Sequence, residues 1–362
     1  MIKELRLKRF RNYREEKICF NEGINVFLGR NGHGKTNLLE AVYFLGMLSS
    51  FRKADLSRIA REGETSFSIE GFFLDDDVSS LYLEKGNAGW SRLSADGIDY
   101  RKKTDYIGRI KMVVFSPDEM ELIQGSPDVR RRYIDRTCFN VSRRHLRNLK
   151  TYKRILKQRN LLLKRGRFSD DELHVWSEKL AEAGAGVIEG RRAILKMLNE
   201  KLEISHPFAG SDSVFLKYLG NIEPDEDLKK NEKRLLAKLL SLRSDERLRR
   251  MTLAGPHRDD VEILVNGSAA KGFSSRGEMR SVLLALKAAE VEIYKENGGK
   301  KPLILLDDVA SELDIERRHA LLDYLRSKGE QVLITTTEAE NLPLTGREKE
   351  SIFKVEDGKI IH

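Results

Sequence analysis

Eight residues, GRNGHGKT at 29–36, restrict this chain more than any other stretch. They satisfy GxxxxGK[ST] in full and lie between an apolar segment, INVFLG, and a helix-forming run. A strand must therefore turn into a helix through a glycine-rich loop. Glycines let successive backbone N–H groups curl around an anion, and the helix N-terminus adds a partial positive charge. The spacing predicts a phosphate cradle built from Gly29, Arg30, Asn31, Gly32, His33 and Gly34, with Asn37 just inside the helix. Lys35 is placed to bridge the β and γ phosphates of a nucleotide such as ATP, and the Thr36 hydroxyl to ligate Mg²⁺. An ordinary glycine-rich turn is the alternative, and it accounts for neither the lysine nor the strand-to-helix context.

A second stretch, LILLDDVASELD at 303–314, reads as a buried strand that delivers two carboxylates at its end. Asp307 is expected to hold Mg²⁺ through water, and Asp308 to orient or deprotonate an attacking water. Successive strand residues point to opposite sides, so the two acids are expected to do different jobs. Taken alone, the stretch could be a core strand ending in a polar turn; beside the phosphate loop that reading weakens. The third stretch, FSSRGEMRSVLLALKAAEV at 273–291, puts Ser275 and Gly277 at the head of a long amphipathic helix. Such an N-terminus can read phosphate, although serine is also a common helix cap.

The surrounding pattern is α/β. LRLKRF and EKICF read as paired strands, and segments between 66 and 115, including KMVVF, as an antiparallel sheet. From about Pro117 to Arg250 the pattern is mostly helical, and strands return at VEILVNG, PLILLDD and QVLITT before a terminal strand pair. Residues 1–116 and 251–362 are thus expected to form an ATPase lobe, and 117–250 an inserted helical lobe. No apolar run approaches the ~18 residues of a membrane span. MIKELRLKRF lacks a signal-peptide core, so the chain is expected to remain in the cytoplasm. Two cysteines, Cys19 and Cys138, exclude a disulfide framework and a cysteine-rich zinc site.

The net charge of +9 is unevenly distributed. Between Arg130 and Arg167 stand 15 Lys or Arg against the single acid Asp135, a net +14 that leaves the rest of the chain at −5. A localised patch of this kind fits a nucleic-acid partner. Within it a helix is expected over 142–163, with Leu146, Leu149, Leu156, Asn160 and Leu163 on one face. The next helix, over 171–204, carries Trp176, Leu180, Ala183, Val187, Gly190, Ile194 and Leu198 at steps of four and three, a coiled-coil-like seam. The polar linker between them, with Asp170 or Asp171 as N-cap, folds the two into an antiparallel hairpin. Arg143, Arg147, Lys150, Arg154 and Lys157 then share about 80° of the first helix, a candidate DNA-binding stripe.

Phosphate loop, Ser-Gly helix, acidic strand and SELD loop follow one another as in ABC-type ATPases. With RFRNY (9–13), SPDEMELIQGSPDVRRRYID (116–135) and GPHRDD (255–260), the chain resembles the SMC and Rad50 branch, and within it the RecF-like proteins, over its whole length. The resemblance implies an ABC-type head of mixed sheet and helices with an inserted helical lobe bearing a short antiparallel hairpin. It also implies ATP with Mg²⁺ between two copies of the chain, closed into a homodimer around gapped, junction or single-stranded DNA. Ser275 and Gly277 would meet the γ-phosphate in trans, the loop Ser311–Asp314 would cross the interface, and Arg11 would reach the nucleotide. Recombinase loading with RecR, RecO acting alongside, and support of replication restart and the SOS response follow from the same resemblance.

The departures from the family pattern point to slow turnover. The signature reads SSRGE, the expected catalytic Glu is Asp308, and Thr336 or Thr337 stands where a switch His is expected. The glutamine that ABC proteins place at the Mg²⁺ site falls near Ser116. Two other readings use the same residues: an ATP-binding, DNA-binding module without turnover, and the ATPase subunit of a transporter. The basic insert and the missing His disfavour the second.

Overall fold

The computed structural model describes residues 1–52, 59–74, 77–86, 89–203, 208, 212–272, 275–297, 301–308, 313–338, 342, 344 and 349–361. Its contacts divide into two units, Met1–Met120 with Leu283–His362, and Glu121–Val282. Residues 251–282, expected with the ATPase half, therefore pack inside the second unit. Among the described residues no helix is long and apolar enough to cross a membrane.

Two sheets build the first unit. One is antiparallel, in the order β2 (Tyr13–Cys19), β1 (Ile2–Phe10), β4 (Ser66–Phe73), β5 (Ser80–Gly86), β6 (Ser91–Ala95), β7 (Ile98–Asp99). Burial alternates strictly along β4, as expected where one face meets the core. The other runs β15 (Lys359–Ile361), β14 (Glu350–Glu356), β3 (Ile24–Leu28), β13 (Val332–Thr336), β12 (Leu303–Asp307), β8 (Met112–Phe115). From β14 to β8 its strands are parallel, and β12 and β13 are buried at every position because both faces are covered. KMVVF was expected in the antiparallel sheet; as β8 it is instead the edge of the parallel one. Its uninterrupted apolar run, unlike the alternation of β4, is the mark of that environment.

Helix α1 (Lys35–Met47) touches β13 of the parallel sheet and β4 and β5 of the other. That explains why it is buried almost all round, from Leu38 to Met47, and carries no clear polar face. Short α2 (Lys103–Tyr106) precedes β8, and α10 (Ile315–Lys328) joins β12 to β13 as a right-of-way for their parallel pairing.

The second unit is helical: α3 (Glu121–Gln124), α4 (Pro127–Val141), α5 (Arg143–Arg165), α6 (Asp170–Glu203), α7 (Leu228–Ser241), α8 (Arg243–Arg249) and the first turns of α9 (Arg276–Glu296). It also holds a sheet in the order β11 (Ser268–Ala269), β10 (Asp260–Val265), β9 (Val214–Leu219); β10 is the strand expected at VEILVNG, and β9 lies within the stretch read as mostly helical. The α5–α6 hairpin forms as expected, but Ser169, not Asp170 or Asp171, caps α6 by accepting the Glu172 N–H at 3.0 Å. Asp170 faces Arg243 and Arg247 instead.

The buried line of α5 is also displaced from the expected one. It runs through His145, Tyr152, Ile155, Arg159, Leu162 and Leu163; of the expected face Leu163 is buried, while Leu146, Leu149, Leu156 and Asn160 are only half-buried. Counting apolar residues missed it because two of its members are polar. Arg159 is held by Glu246 at 2.6 Å, Thr252 Oγ1 at 2.9 Å and Ser177 Oγ at 3.2 Å. His145 fits only because Gly190 faces it; a Cβ there would lie 2.3 Å from its Nδ1. Around this hairpin the two unassigned sequence motifs interlock. Arg130 grips Asp260 with two bonds of 2.8 Å, and Arg191 grips Asp135 at 2.8 and 2.9 Å while donating to the Pro256 carbonyl at 2.6 Å. Burial alone would raise the Asp135 carboxyl, but His145 and Arg191 hold it well below the ordinary range.

His257, in GPHRDD, accepts the Tyr152 hydroxyl on Nδ1 at 2.6 Å and turns Nε2 toward the Thr252 carbonyl at 3.3 Å. A carbonyl only accepts, so Nε2 carries the proton and the ring is neutral. Burial lowers its pKa to about 4 from 6.5, with Arg258, Arg131 and Arg159 adding to the effect. The unfolded ring charges below 6.5 and the folded one only below about 4, so this contribution is complete above 6.5 and is lost as pH falls between the two values. The loss should approach about 3 kcal/mol at most. His257→Gln keeps an acceptor for Tyr152, and in urea unfolding it should lose less stability than the parent from pH 6.5 to pH 4; equal losses would remove His257 from the acid response.

Candidate functional site

The chain leaves β3 at Leu28, turns through Gly29–Gly34 and enters α1 at Lys35, as the motif required. Gly34 sits at φ 111°, a conformation open to glycine, and a Cβ there would strike the Asn12 amide at 2.5 Å. Asn12 explains the crowding: it donates to the His33 carbonyl at 2.9 Å and accepts from Asn37 at 2.8 Å. Tyr13 donates to the Gly34 carbonyl at 3.0 Å, and the Gly358 N–H reaches the His33 carbonyl at 3.0 Å. The loop is thus held from outside by the first hairpin turn and by the β14–β15 turn. Arg30, Asn31 and Gly32 remain exposed along it.

Lys35 is buried, and its ammonium donates to the loop carbonyls of Gly29 at 2.5 Å and Arg30 at 3.0 Å. Burial lowers its pKa, opposed by the nearby Asp308 and Asp307 carboxylates. Thr36 Oγ1 donates to Asp307 Oδ1 at 2.8 Å. These two oxygens, from the loop and from the end of β12, are hard donors of the kind Mg²⁺ takes, and nucleotide oxygens and water complete such a site. The residues present therefore fit the cation. Burial raises the Asp307 carboxyl, opposed by the hydrogen bonds from Thr335 and Thr36.

Thr335, on β13 directly opposite Asp307, donates its hydroxyl to Asp307 Oδ1 at 2.8 Å and accepts the Asp308 N–H at 2.9 Å. The threonine that touches the acid pair is this one. Thr336 is buried and bonded to Glu338, and Thr337 is exposed. Asp308 differs from expectation in another way. It lies past the last residue of β12 at φ 49°, so the left-handed turn, and not strand alternation, separates the two carboxylates.

Arg11, also at positive φ, directs its guanidinium to the fully buried Glu40 of α1 with bonds of 2.9 and 2.7 Å. It braces α1 and lines a cavity of about 1190 Å³ with Asn12, Gly32, Asn37, Arg61 and Glu64. Neither Glu40 nor Thr335 carries a motif, and both pair with residues distant in sequence.

In the second unit Ser275 accepts the Glu278 N–H at 3.1 Å, so it caps α9, and Gly277 follows half-buried in the first turn. Asp314 caps α10 through the Arg317 N–H at 2.9 Å and is exposed. Ser311 and Glu312 of the SELD loop lie outside the described residues. On α5, Arg143, Arg147, Lys150, Arg154 and Lys157 are all exposed, and none forms an ion pair with a described residue.

The profile of the RecF/RecN/SMC N-terminal domain matches residues 1–360. The DNA replication and repair protein RecF of Geotalea uraniireducens is 36% identical over 367 residues, with both chains covered in full. The protein of the same name from Geobacter sulfurreducens is 38% identical over 99% of each chain. Among solved structures, the recombination mediator protein RecF with ATP in the RecFOR pathway is similar at TM-score 0.89 and 31% identity, covering 99% of this chain and 96% of that one. An Smc head domain with an extended coiled coil from Pyrococcus furiosus, at TM-score 0.53 and 16% identity, shares the fold. The architecture is that of an ABC-type ATPase head with an inserted helical lobe.

Proposed function

This chain belongs to the RecF family, and on that footing we propose that it is an ATP-dependent DNA clamp of recombinational repair. The observation that carries the reading is the bond between Thr36 of the phosphate loop and Asp307 of β12. It places a hydroxyl, a carboxylate and the amides at the start of α1 around one point. There the amides receive the β and γ phosphates, and Lys35 exchanges its two loop carbonyls for phosphate oxygens. Thr36 and Asp307 hold Mg²⁺, which neutralises phosphate charge when bound. Asp308, turned away from Asp307 by its left-handed backbone, accepts a proton from the attacking water. Arg11 steadies α1 from the nucleotide side.

The exposed phosphate edge takes donors from a second copy, Ser275 and Gly277 at the head of α9; Asp314 belongs to the loop that crosses that interface, and Thr337 stands beside the nucleotide in the place of the switch His. ATP thereby closes a homodimer. Hydrolysis is slow because Asp308 is one methylene short of glutamate, and it releases the dimer from DNA. The α5 stripe grips backbone phosphates of gapped, junction or single-stranded DNA without reading bases. A clamp resting at such sites, acting with RecR and with RecO alongside, would help load recombinase and so support replication restart and the SOS response. The relatives' names and the ATP-bound structure support this reading.

ATPase rate measured across protein concentration, with and without gapped duplex, tests it. A dimeric clamp requires the rate per chain to rise with both; a flat response to both would leave a passive binder. Ser275→Arg should bind ATP as a monomer yet fail to dimerise in sedimentation with a slowly hydrolysed analogue, and a variant that dimerises would take α9 out of the interface. Asp308→Asn should bind ATP and dimerise, with turnover reduced at least ~10²-fold, the range of a general base. Parent-like turnover would transfer the role to another group. Changing Arg147, Lys150 and Arg154 together to Ala should weaken DNA binding and flatten its salt dependence by roughly three phosphate contacts. An unchanged salt slope would move the DNA site off α5.

A further inference from the structure

The end of β12 departs from its ladder at one bond. β12 and β13 run parallel in a register from Ile304 opposite Val332 to Asp307 opposite Thr335, and the Ile304 N–H meets the Gln331 carbonyl at 3.0 Å. A parallel ladder repeats such bonds at every second residue, so the pattern carried on to Asp308 would use the Thr335 carbonyl. Asp308 breaks the pattern. Its N–H goes to the Thr335 side-chain hydroxyl at 2.9 Å, and its backbone sits at φ 49° instead of an extended value.

The left-handed region is uncommon for any residue with a Cβ, and such a backbone persists only where its surroundings hold it. Thr335 is fully buried, and the parts of its hydroxyl have fixed roles. The Asp308 N–H can only donate, so the oxygen accepts there; its single proton goes to Asp307 Oδ1 at 2.8 Å. The β-branched side chain restricts χ1, which keeps that oxygen between the two acids. Valine has the same shape without the hydroxyl, and would leave the ladder carbonyl as the partner for Asp308. Extended backbone there would send the two carboxylates to opposite faces of the sheet. In the left-handed turn the Asp308 carboxylate instead lies near the Lys35 ammonium and, with Asp307, favours its charge.

From this bond we infer that Thr335 is a positioning residue for ATP hydrolysis. By taking the Asp308 N–H out of the ladder, it holds the turn that aims the Asp308 carboxylate toward the phosphates. The inference rests on the nucleotide reading of the loop and on Asp308 as the proton acceptor. One hydroxyl then has two separable tasks: its bond to Asp307 serves the cation site, and its bond to Asp308 serves turnover.

The test compares Thr335→Val and Thr335→Ser in the full chain, each alone and combined with Asp308→Asn. At saturating ATP and Mg²⁺, Thr335→Val should lose at least about tenfold in kcat, toward the ~10²-fold that a misplaced reacting group costs, with KM unchanged. Thr335→Ser, which keeps the hydroxyl, should recover most of the parent rate. Thr335→Val with Asp308→Asn should be no slower than Asp308→Asn alone, because a residue acting through another adds nothing once that group is gone. The readout apart from activity is a crystal structure of Thr335→Val without nucleotide, in which Asp308 should return to extended φ and bond the carbonyl of residue 335. A positive φ at Asp308 in that structure overturns the inference. So does parent turnover of Thr335→Val at saturating Mg²⁺, which would leave Thr335 serving the cation alone. An equal loss in Thr335→Ser would make the effect one of packing, and a further loss in the double variant would place it outside Asp308; either overturns the role. Should Thr335→Val fail to fold, Thr335→Cys, whose thiol is a weak partner for both bonds, carries the same expectations. Parent turnover in Asp308→Asn removes the proton acceptor and this role with it; a slow Asp308→Asn beside an unaffected Thr335→Val removes Thr335 alone.

Discussion

One buried carboxylate organises the first unit. Asp307 takes a hydroxyl from each side, Thr36 from the start of α1 and Thr335 from β13. The need for both follows from the strand order. The phosphate loop leaves β3, but β13 lies between β3 and β12, so the loop and the acid are two strands apart. A buried acid with no donor would be strongly disfavoured as an anion. Threonine on the intervening strand satisfies it without filling the space the loop helix must enter. The same threonine accepts the Asp308 N–H, so one side chain sets the direction of both acids.

The phosphate loop shows the same economy of support. Glycine freedom lets its amides turn inward, yet a loop of glycines is floppy unless something holds it. Here Asn12, Tyr13 and the Gly358 N–H bind its carbonyls from behind, and Arg11 secures α1 through Glu40. The His33 and Gly34 carbonyls are thereby spent on protein; of the loop amides, Gly29 reaches the Thr336 carbonyl at 3.3 Å and His33 the Arg30 carbonyl at 3.4 Å, and the others are left for an anion. Donors fixed before the ligand arrives need little reorganisation, the condition under which they act most strongly on developing charge.

Legibility in the sequence followed the range of each interaction. The loop, the two acids and the helix that follows were readable because their chemistry is packed into adjacent residues. Even the misplaced cap was local: Ser169 and Glu172 stand at the spacing of a capping box. Glu40 and Thr335 were not readable. A glutamate inside a helix and a threonine inside a strand are ordinary until Arg11, 29 residues away, and Asp307, 28 residues away, are brought to them. The α5 core line was missed for a related reason. A hydrophobic pattern cannot register Arg159 or His145 as interior, since each is admitted by partners on other elements, Glu246 and Gly190 among them. Likewise β9 becomes a strand through its pairing with β10, which lies beyond two intervening helices.

That distinction also divides the basic tract. Its excess of positive charge invites reading every lysine and arginine as available to a polyanion, but the structure sorts them. Arg130 is committed to Asp260 and Arg159 to Glu246, both acids brought from outside the tract, and Arg131 donates to the Asp259 carbonyl and pairs with Asp128. Pairs of this kind are parts of the scaffold: breaking a buried one costs about 3–5 kcal/mol, so a ligand does not readily recruit its members. The α5 stripe is different, because it is exposed and none of its five residues has an acidic partner among the described ones. Five phosphate contacts, were the whole stripe to make them, would release counterions equivalent to a salt slope of about 4 to 5 on duplex DNA. Net charge over the tract would set a far steeper limit, and it is the wrong measure. What a ligand can use is the charge left over after the fold has taken its share.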